Sequence, residues 1–256
     1  MITVTQAQLW TWIATFLWPF ARIAGCVMVA PGFGAVFVPR RTRLVVAFAL
    51  ALLVAPFVTA PVAIEPLSIV GLLALVIEVL IGIACGFLLQ LVFDAVGLAG
   101  QLLANAMGLS FAFNVDPARG ASTPAVGQLH LVFVTLTFLA LDGHIAIVRA
   151  LVGTFSALPI ATTSGLEVIS RTVVAAGGLL IVDALRIALP GLAALLCANF
   201  AFGFVSRAAP SLNVVSVGLP LALLFGILVL QFALAGVQSG FATAFGVALQ
   251  TVSGWR

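Results

Sequence analysis

"LSIVGLLALVIEVLIGIACGFLLQLVFDAVGLAGQLLANAM", Leu67 to Met107, carries no proline and only two acidic residues, and most of its other side chains are apolar. As a single helix it would be about 60 Å long at ~1.5 Å per residue, twice the ~30 Å hydrocarbon core of a bilayer. The stretch is therefore expected to break, fold back or leave the bilayer. At 100° per residue, Glu78, Gly82 and Gly86 fall within about 80° of one another, and Asp94, Gly97, Gln101, Asn105 and Gly108 share a second arc of similar width. Neither arc is expected to face lipid.

The rest of the chain has the same character. It is 64% hydrophobic and 7% charged, against roughly half and a quarter in soluble domains. Its mean hydropathy is +1.34. These values point to an all-α, multi-pass integral membrane protein, one membrane-embedded domain over residues 1–256, with no separate soluble part. Candidate helices run roughly over 5–31, 44–64, 67–107, 125–155, 168–205 and 212–250. The last two are also too long for one crossing and carry glycine, proline or polar residues near their middles. Helical hairpins or bent helices buried in other protein are expected there.

Ten arginines and no lysine give a net charge of +3, a positive-inside bias rather than a nucleic-acid surface. Arg40, Arg41 and Arg43 form the densest positive cluster and are expected to face the cytoplasm. Trp10, Trp12 and Trp18 suit an interfacial belt, and Thr5 or Thr11 could cap the first helix. "MITVTQAQLW" lacks the basic start and cleavage site of a secretory signal, so the first apolar segment is expected to stay in the protein. Cys26, Cys85 and Cys197 each lie alone in apolar runs and are expected to be buried packing residues.

Charges inside apolar sequence need water or partners. Asp183 and Arg186, three apart, can meet on one helix face as a buried ion pair. Glu78 has no sequence-local partner, and a water-filled or inter-subunit setting is expected for it. "GIACG", holding Gly82 and Gly86, is a small-xxx-small row, repeated at Gly236, Gly240 and Ala244. Such rows serve close helix packing, within the chain or between subunits.

Enzyme signatures are missing. His130 and His144 have no metal-binding or nucleophile motif beside them, no P-loop occurs, and no cofactor is expected. A transporter would show inverted repeats around a midplane site, and no convincing repeat is found.

Three stretches carry a family resemblance: "ARIAGCVMVAPGFGAVFVPRRTR", "LDGHIAIVRALVGTFSALP" and, most specific, "SRAAPSLNVVSVGLP". With Arg22, Pro31, Pro39, Arg43, Glu78, Asp116-Pro117, Asp142-Gly143-His144, Ser156, Pro159, Arg207, Pro210, Asn213, Gly218 and Pro220 in order, the chain resembles the FliR family. These are export-gate membrane proteins of flagellar type III secretion, with relatives in virulence injectisomes. Ser211 departs from the family's "PQLN", where glutamine is expected. Gly218-Leu219-Pro220 leans toward the flagellar branch.

The resemblance implies one subunit of a helical, closed conduit built with several FliP-like and FliQ-like subunits. It implies further contact with FlhB-like and FlhA-like export proteins, secreted flagellar polypeptides and membrane lipid, but no nucleic acid. The location implied is the bacterial inner membrane at the flagellar basal body, partly projecting toward the periplasm.

"GLSFAFNVDPARGASTP", Gly108 to Pro124, interrupts the apolar pattern with glycine and proline, which end the helix before it. Leu109, Phe111 and Phe113 alternate in a pattern suited to filling an apolar constriction. The resemblance places a pore-closing plug here, comprising Gly108, Leu109, Phe111, Phe113, Asp116, Pro117 and Gly120. A surface loop packed on its own phenylalanines is the alternative.

Overall fold

The computed structural model of the chain describes residues 6–34, 38–58, 65–109, 125–160, 165–208 and 214–255. The helices are α1 (Gln6–Val29), α2 (Arg40–Val54) with a 3-10 turn at Ala55–Phe57, α3 (Ile69–Ala106), α4 (Ala125–Ala140), α5 (Gly143–Ala157), α6 (Leu166–Ala208) and α7 (Val214–Ser253). Among the described residues there is no strand. Spans within α3, α6 and α7 are long and apolar enough to cross a membrane, and α4 with α5 forms a bent pair that qualifies together. The chain is an all-α membrane protein.

At the helix boundaries the structure selects among the expected alternatives. The stretch from Leu67 neither breaks nor folds back: α3 runs unbroken for 38 residues, about 57 Å, which leaves the third expectation, a helix that extends beyond the bilayer. Of the two forms expected for α6 and α7, the hairpin does not occur: they are single helices of 43 and 40 residues that carry Pro190 and Pro220 inside them. An internal proline removes one donor and crowds one carbonyl, which bends a helix but does not reverse it. Reversal needs several consecutive residues outside helical geometry. The segment expected whole, 125–155, is the one that divides. Asp142 takes a left-handed conformation, φ 53° and ψ 32°, which Asp tolerates better than most residues, and α5 starts immediately after it.

Local chemistry sets the other ends. The Ser68 hydroxyl accepts the Gly71 N–H at 3.0 Å, capping the start of α3. At the far end the Leu109 N–H reaches the Ala104 carbonyl at 3.1 Å and the Gly108 N–H reaches Asn105 at 3.0 Å. Gly108 has φ 78°. This paired closure around a left-handed glycine ends a helix while satisfying its last carbonyls.

The chain packs as two compact units, each drawn from separate segments. One comprises Met1–Leu91, Asp142–Gly177 and Gly246–Arg256. Here α1 lies so close to α3 that a Cβ at Gly86 would stand 2.7 Å from the Cys26 carbonyl oxygen, and one at Gly82 would collide with the Arg22 carbonyl. Cys26 and Cys85 are both buried at this contact. Trp18, expected at the membrane interface, is instead fully buried, as is Trp255.

The other unit comprises Val92–Leu141 and Gly178–Phe245. Its centre is a run of rings. Phe93 meets Phe138 and Phe241 edge-on at 5.4 and 5.2 Å, and Phe245 meets Phe138 edge-on at 5.5 Å and stacks on Phe241 at the same distance. Edge-to-face pairs add about 0.5–1.5 kcal/mol each beyond their buried area. α3 and α4 touch at Gly100 and Gly127, where an added Cβ on Gly100 would lie 2.8 Å from the Gly127 Cα. Where lipid is as apolar as a side chain, close packing of this kind holds helices together.

Candidate functional site

The glycine-rich stretch from Gly108 leaves a closely packed helix end. Gly191 in α6 leaves room for Leu103, whose Cδ2 would be 2.8 Å from a Cβ there, and Gly226 in α7 does the same for Met107 at 2.5 Å. Asn199 of α6 donates its side-chain N–H to the Ala106 carbonyl at 3.0 Å, satisfying a carbonyl left over at the helix end. Gly108 and Leu109 are thus held at a fixed exit point. Phe111, Phe113, Asp116, Pro117 and Gly120 lie outside the described residues.

A second constellation lies in the other unit. Arg22 of α1, Glu78 of α3 and Thr154 of α5 are fully buried. Arg22 Nε donates to Glu78 Oε2 at 2.6 Å, Nη1 to Thr154 Oγ1 at 3.2 Å, and Nη2 to the Leu158 carbonyl at 2.9 Å. The Phe155 ring lies 4.2 Å from Arg22 Cζ, so the guanidinium also has an aromatic face to rest on. Three elements are fastened by one side chain, each of whose three nitrogens donates to an acceptor.

This corrects the expectation for Glu78. It faces neither water nor another subunit but a cation of its own chain. Gly82 and Gly86, left open between internal and subunit packing, are consumed by α1 of the same chain. Gly236 differs, because nothing lies within 4 Å of where its Cβ would be, while Gly240 faces Ile187.

Asp183 and Arg186 do meet, at 3.7 Å, but they are not buried in this chain: Arg186 is 77% exposed and Asp183 25%. Among the described residues Arg22 and Glu78 form a buried ion pair, which the sequence reading missed as a pair. One signal was available. Each is a charge inside an apolar helix with no opposite charge within four residues, so each implied a distant partner. Thr154 left no such signal.

Cys26 and Cys85 are buried, whereas Cys197, expected to be buried too, is exposed. Arg207 is exposed in the last turn of α6, Gly218 is half-buried and Pro220 exposed near the start of α7. Pro210 and Asn213 lie outside the described residues. Buried His130 bonds through Nδ1 to the Val126 carbonyl of its own helix at 2.8 Å. Among the described residues no three His, Cys, Asp or Glu gather as a metal site would require.

Comparison with known proteins adds a family. The model described as "Bacterial export proteins, family 1" matches residues 13–247. The flagellar biosynthetic protein FliR of Escherichia coli (strain K12) is 36% identical over 230 residues, 89% of this chain and 87% of that protein. Its namesake from Pectobacterium carotovorum subsp. carotovorum is 34% identical over 231 residues, 90% and 88% of the two chains. The one from Caulobacter vibrioides is 32% identical over 226 residues, 85% and 87%.

Proposed function

The chain belongs to the bacterial export proteins of family 1, and from that membership we propose that it serves as one subunit of the flagellar export gate, through which unfolded flagellar polypeptides cross the inner membrane. Its neighbours in this reading are FliP-like and FliQ-like subunits, with FlhB-like and FlhA-like proteins beyond them at the basal body.

The observation that carries a multi-subunit reading is Arg186. It projects, 77% exposed, from a helix apolar enough to cross a membrane. An arginine facing lipid at a helix centre costs about 2.5–3.5 kcal/mol on insertion scales, so protein or water is its expected surrounding. Gly177, Gly178 and Gly203 of the same helix have nothing within 4 Å of a would-be Cβ, which leaves room for a neighbouring backbone.

Within that gate, residues 108–124 act as the plug. A closed pore needs its stopper attached to a wall that does not move, and the exit at Gly108 and Leu109 is braced by Leu103, Met107 and Asn199. Phe111 and Phe113 would then close the constriction by contact and by dewetting, with no charge required. Deleting Ser110 to Arg119 is expected to leave a complex that still co-purifies with its FliP-like and FliQ-like partners but leaks ions and small solutes, with some secretion kept. A deletion complex that assembles and conducts no more than wild type would show the stretch to be a surface loop.

A further inference from the structure

α2 is too short to cross a bilayer, since its 15 residues span about 22 Å against ~30 Å of hydrocarbon. One side of it, Ala47, Ala51 and Val54, is buried. The small Ala47 and Ala51 let α1 come close, and the Phe48 ring rests edge-on against Phe16 and Phe20 of α1 at 5.1 and 6.3 Å.

The other side carries Leu44, Val45, Phe48, Leu52 and Leu53, all exposed, and ends at Phe57, which is 82% exposed. At 100° per residue, Arg41, Val45, Phe48 and Leu52 fall within about 60°, so a cation heads an apolar stripe on a single face, while Arg40 lies about 100° round from Arg41 in the same first turn. Arg40 and Arg41 are exposed, and neither pairs with a carboxylate among the described residues. Arg43, by contrast, is turned back onto the chain, donating from Nε to the Val38 carbonyl at 3.1 Å.

We propose that this face of α2 is a binding site for an anionic phospholipid, its phosphate held by the guanidinium groups of Arg40 and Arg41 and one acyl chain lying along Val45, Phe48 and Leu52. A planar guanidinium matches phosphate oxygens two at a time, and the spacing of charge above hydrocarbon on this helix is that of a headgroup above its chain. A soluble acidic peptide would satisfy the arginines but leave the stripe in water. A zwitterionic lipid would cover the stripe and offer the same phosphate, but its own cation offsets the attraction of two arginines, so the headgroup with net negative charge is favoured. The site thus fixes α2 at one leaflet with its basic end at the headgroups, and it depends on the chain being in a membrane rather than on which gate subunits surround it.

Spin-labelled phosphatidylglycerol and phosphatidylcholine, added in turn to the full-length protein reconstituted with and without its partner subunits, give the measurement. The wild type is expected to immobilise phosphatidylglycerol in preference to phosphatidylcholine. Removing one arginine should lower that preference about fivefold, and the R40Q/R41Q double variant about thirtyfold. Raising the salt on the wild-type protein should erode the preference in the same direction, which tests the idea even if the double variant accumulates poorly. Inorganic phosphate at millimolar concentration should not compete, because it lacks the chain. Equal immobilisation of the two lipids by wild type, an unchanged preference in R40Q/R41Q, full competition by phosphate, or a preference that vanishes once partner subunits cover α2 would each overturn the proposal.

Discussion

A guanidinium shut away from water must find acceptors for its donors within the protein, and Arg22 finds a carboxylate, a hydroxyl and a carbonyl on two other elements. Pairing of this kind is poor evidence of net stability, because desolvating both charges offsets much of their attraction. Breaking it is another matter. Arg22→Gln or Glu78→Gln alone leaves one uncompensated buried charge and is expected to cost about 3–5 kcal/mol, while Arg22→Met with Glu78→Leu should recover most of that loss. Thermal unfolding of the purified chain in detergent reads the cycle, and simple additivity would sink the pairing as the cause. Asp183 and Arg186 make the contrast. Exposed as they are, their coupling in the same assay should stay below ~1 kcal/mol. A larger coupling in the isolated chain would mean that the pair is desolvated there.

Glycines that look alike in sequence do different work once helices meet. Gly82 and Gly86 let the backbone of α1 touch that of α3, and any side chain at Gly82 strikes the Arg22 carbonyl, which is main chain and cannot swing aside. Gly82→Leu is therefore expected to prevent the chain from accumulating in membranes even when it is expressed alone. Gly236→Leu should leave the lone chain's yield and unfolding temperature unchanged, because that side of α7 is open, and reduce only the recovery of complex. Equal losses from the two substitutions in the lone chain would contradict this division. Proline is legible at this scale only by its geometry. Pro190 and Pro220 stay inside long helices, whereas Asp142, in a left-handed conformation, breaks one.

Across the molecule, large apolar side chains stand exposed on both long C-terminal helices, among them Phe200, Phe204 and Phe232. A membrane chain hides such groups against lipid or against other subunits, and Cys197 lies on the same helix as the first two, itself exposed. Maleimide is expected to label Cys197 in the purified chain and to label it at least several-fold more slowly in the assembled gate. Cys26 and Cys85 should stay unreactive in both. Labelling of Cys197 at the same rate in the two states would place that part of α6 outside any subunit interface.

Composition determined that this is a membrane protein, because a chain so poor in charge cannot face water over most of its length, and the long uninterrupted apolar runs determined that it is helical. Motif order and the glycine at 108 likewise carried the family and the end of α3, since a left-handed helix stop is a local event written in neighbouring residues. Which small residues would be used inside the chain, and which charges would find each other, could not be read there. Glu78 and Arg22 lie 56 positions apart, and nothing local to either names the other. Asp183 and Arg186 are three apart, and that spacing suggested their pairing, while the apolar sequence around them suggested a burial that the packing of α6 does not provide. Burial and pairing between helices depend on which faces come together, and that choice belongs to the whole fold, where the fit of α1 against α3 decided that Arg22 would meet Glu78.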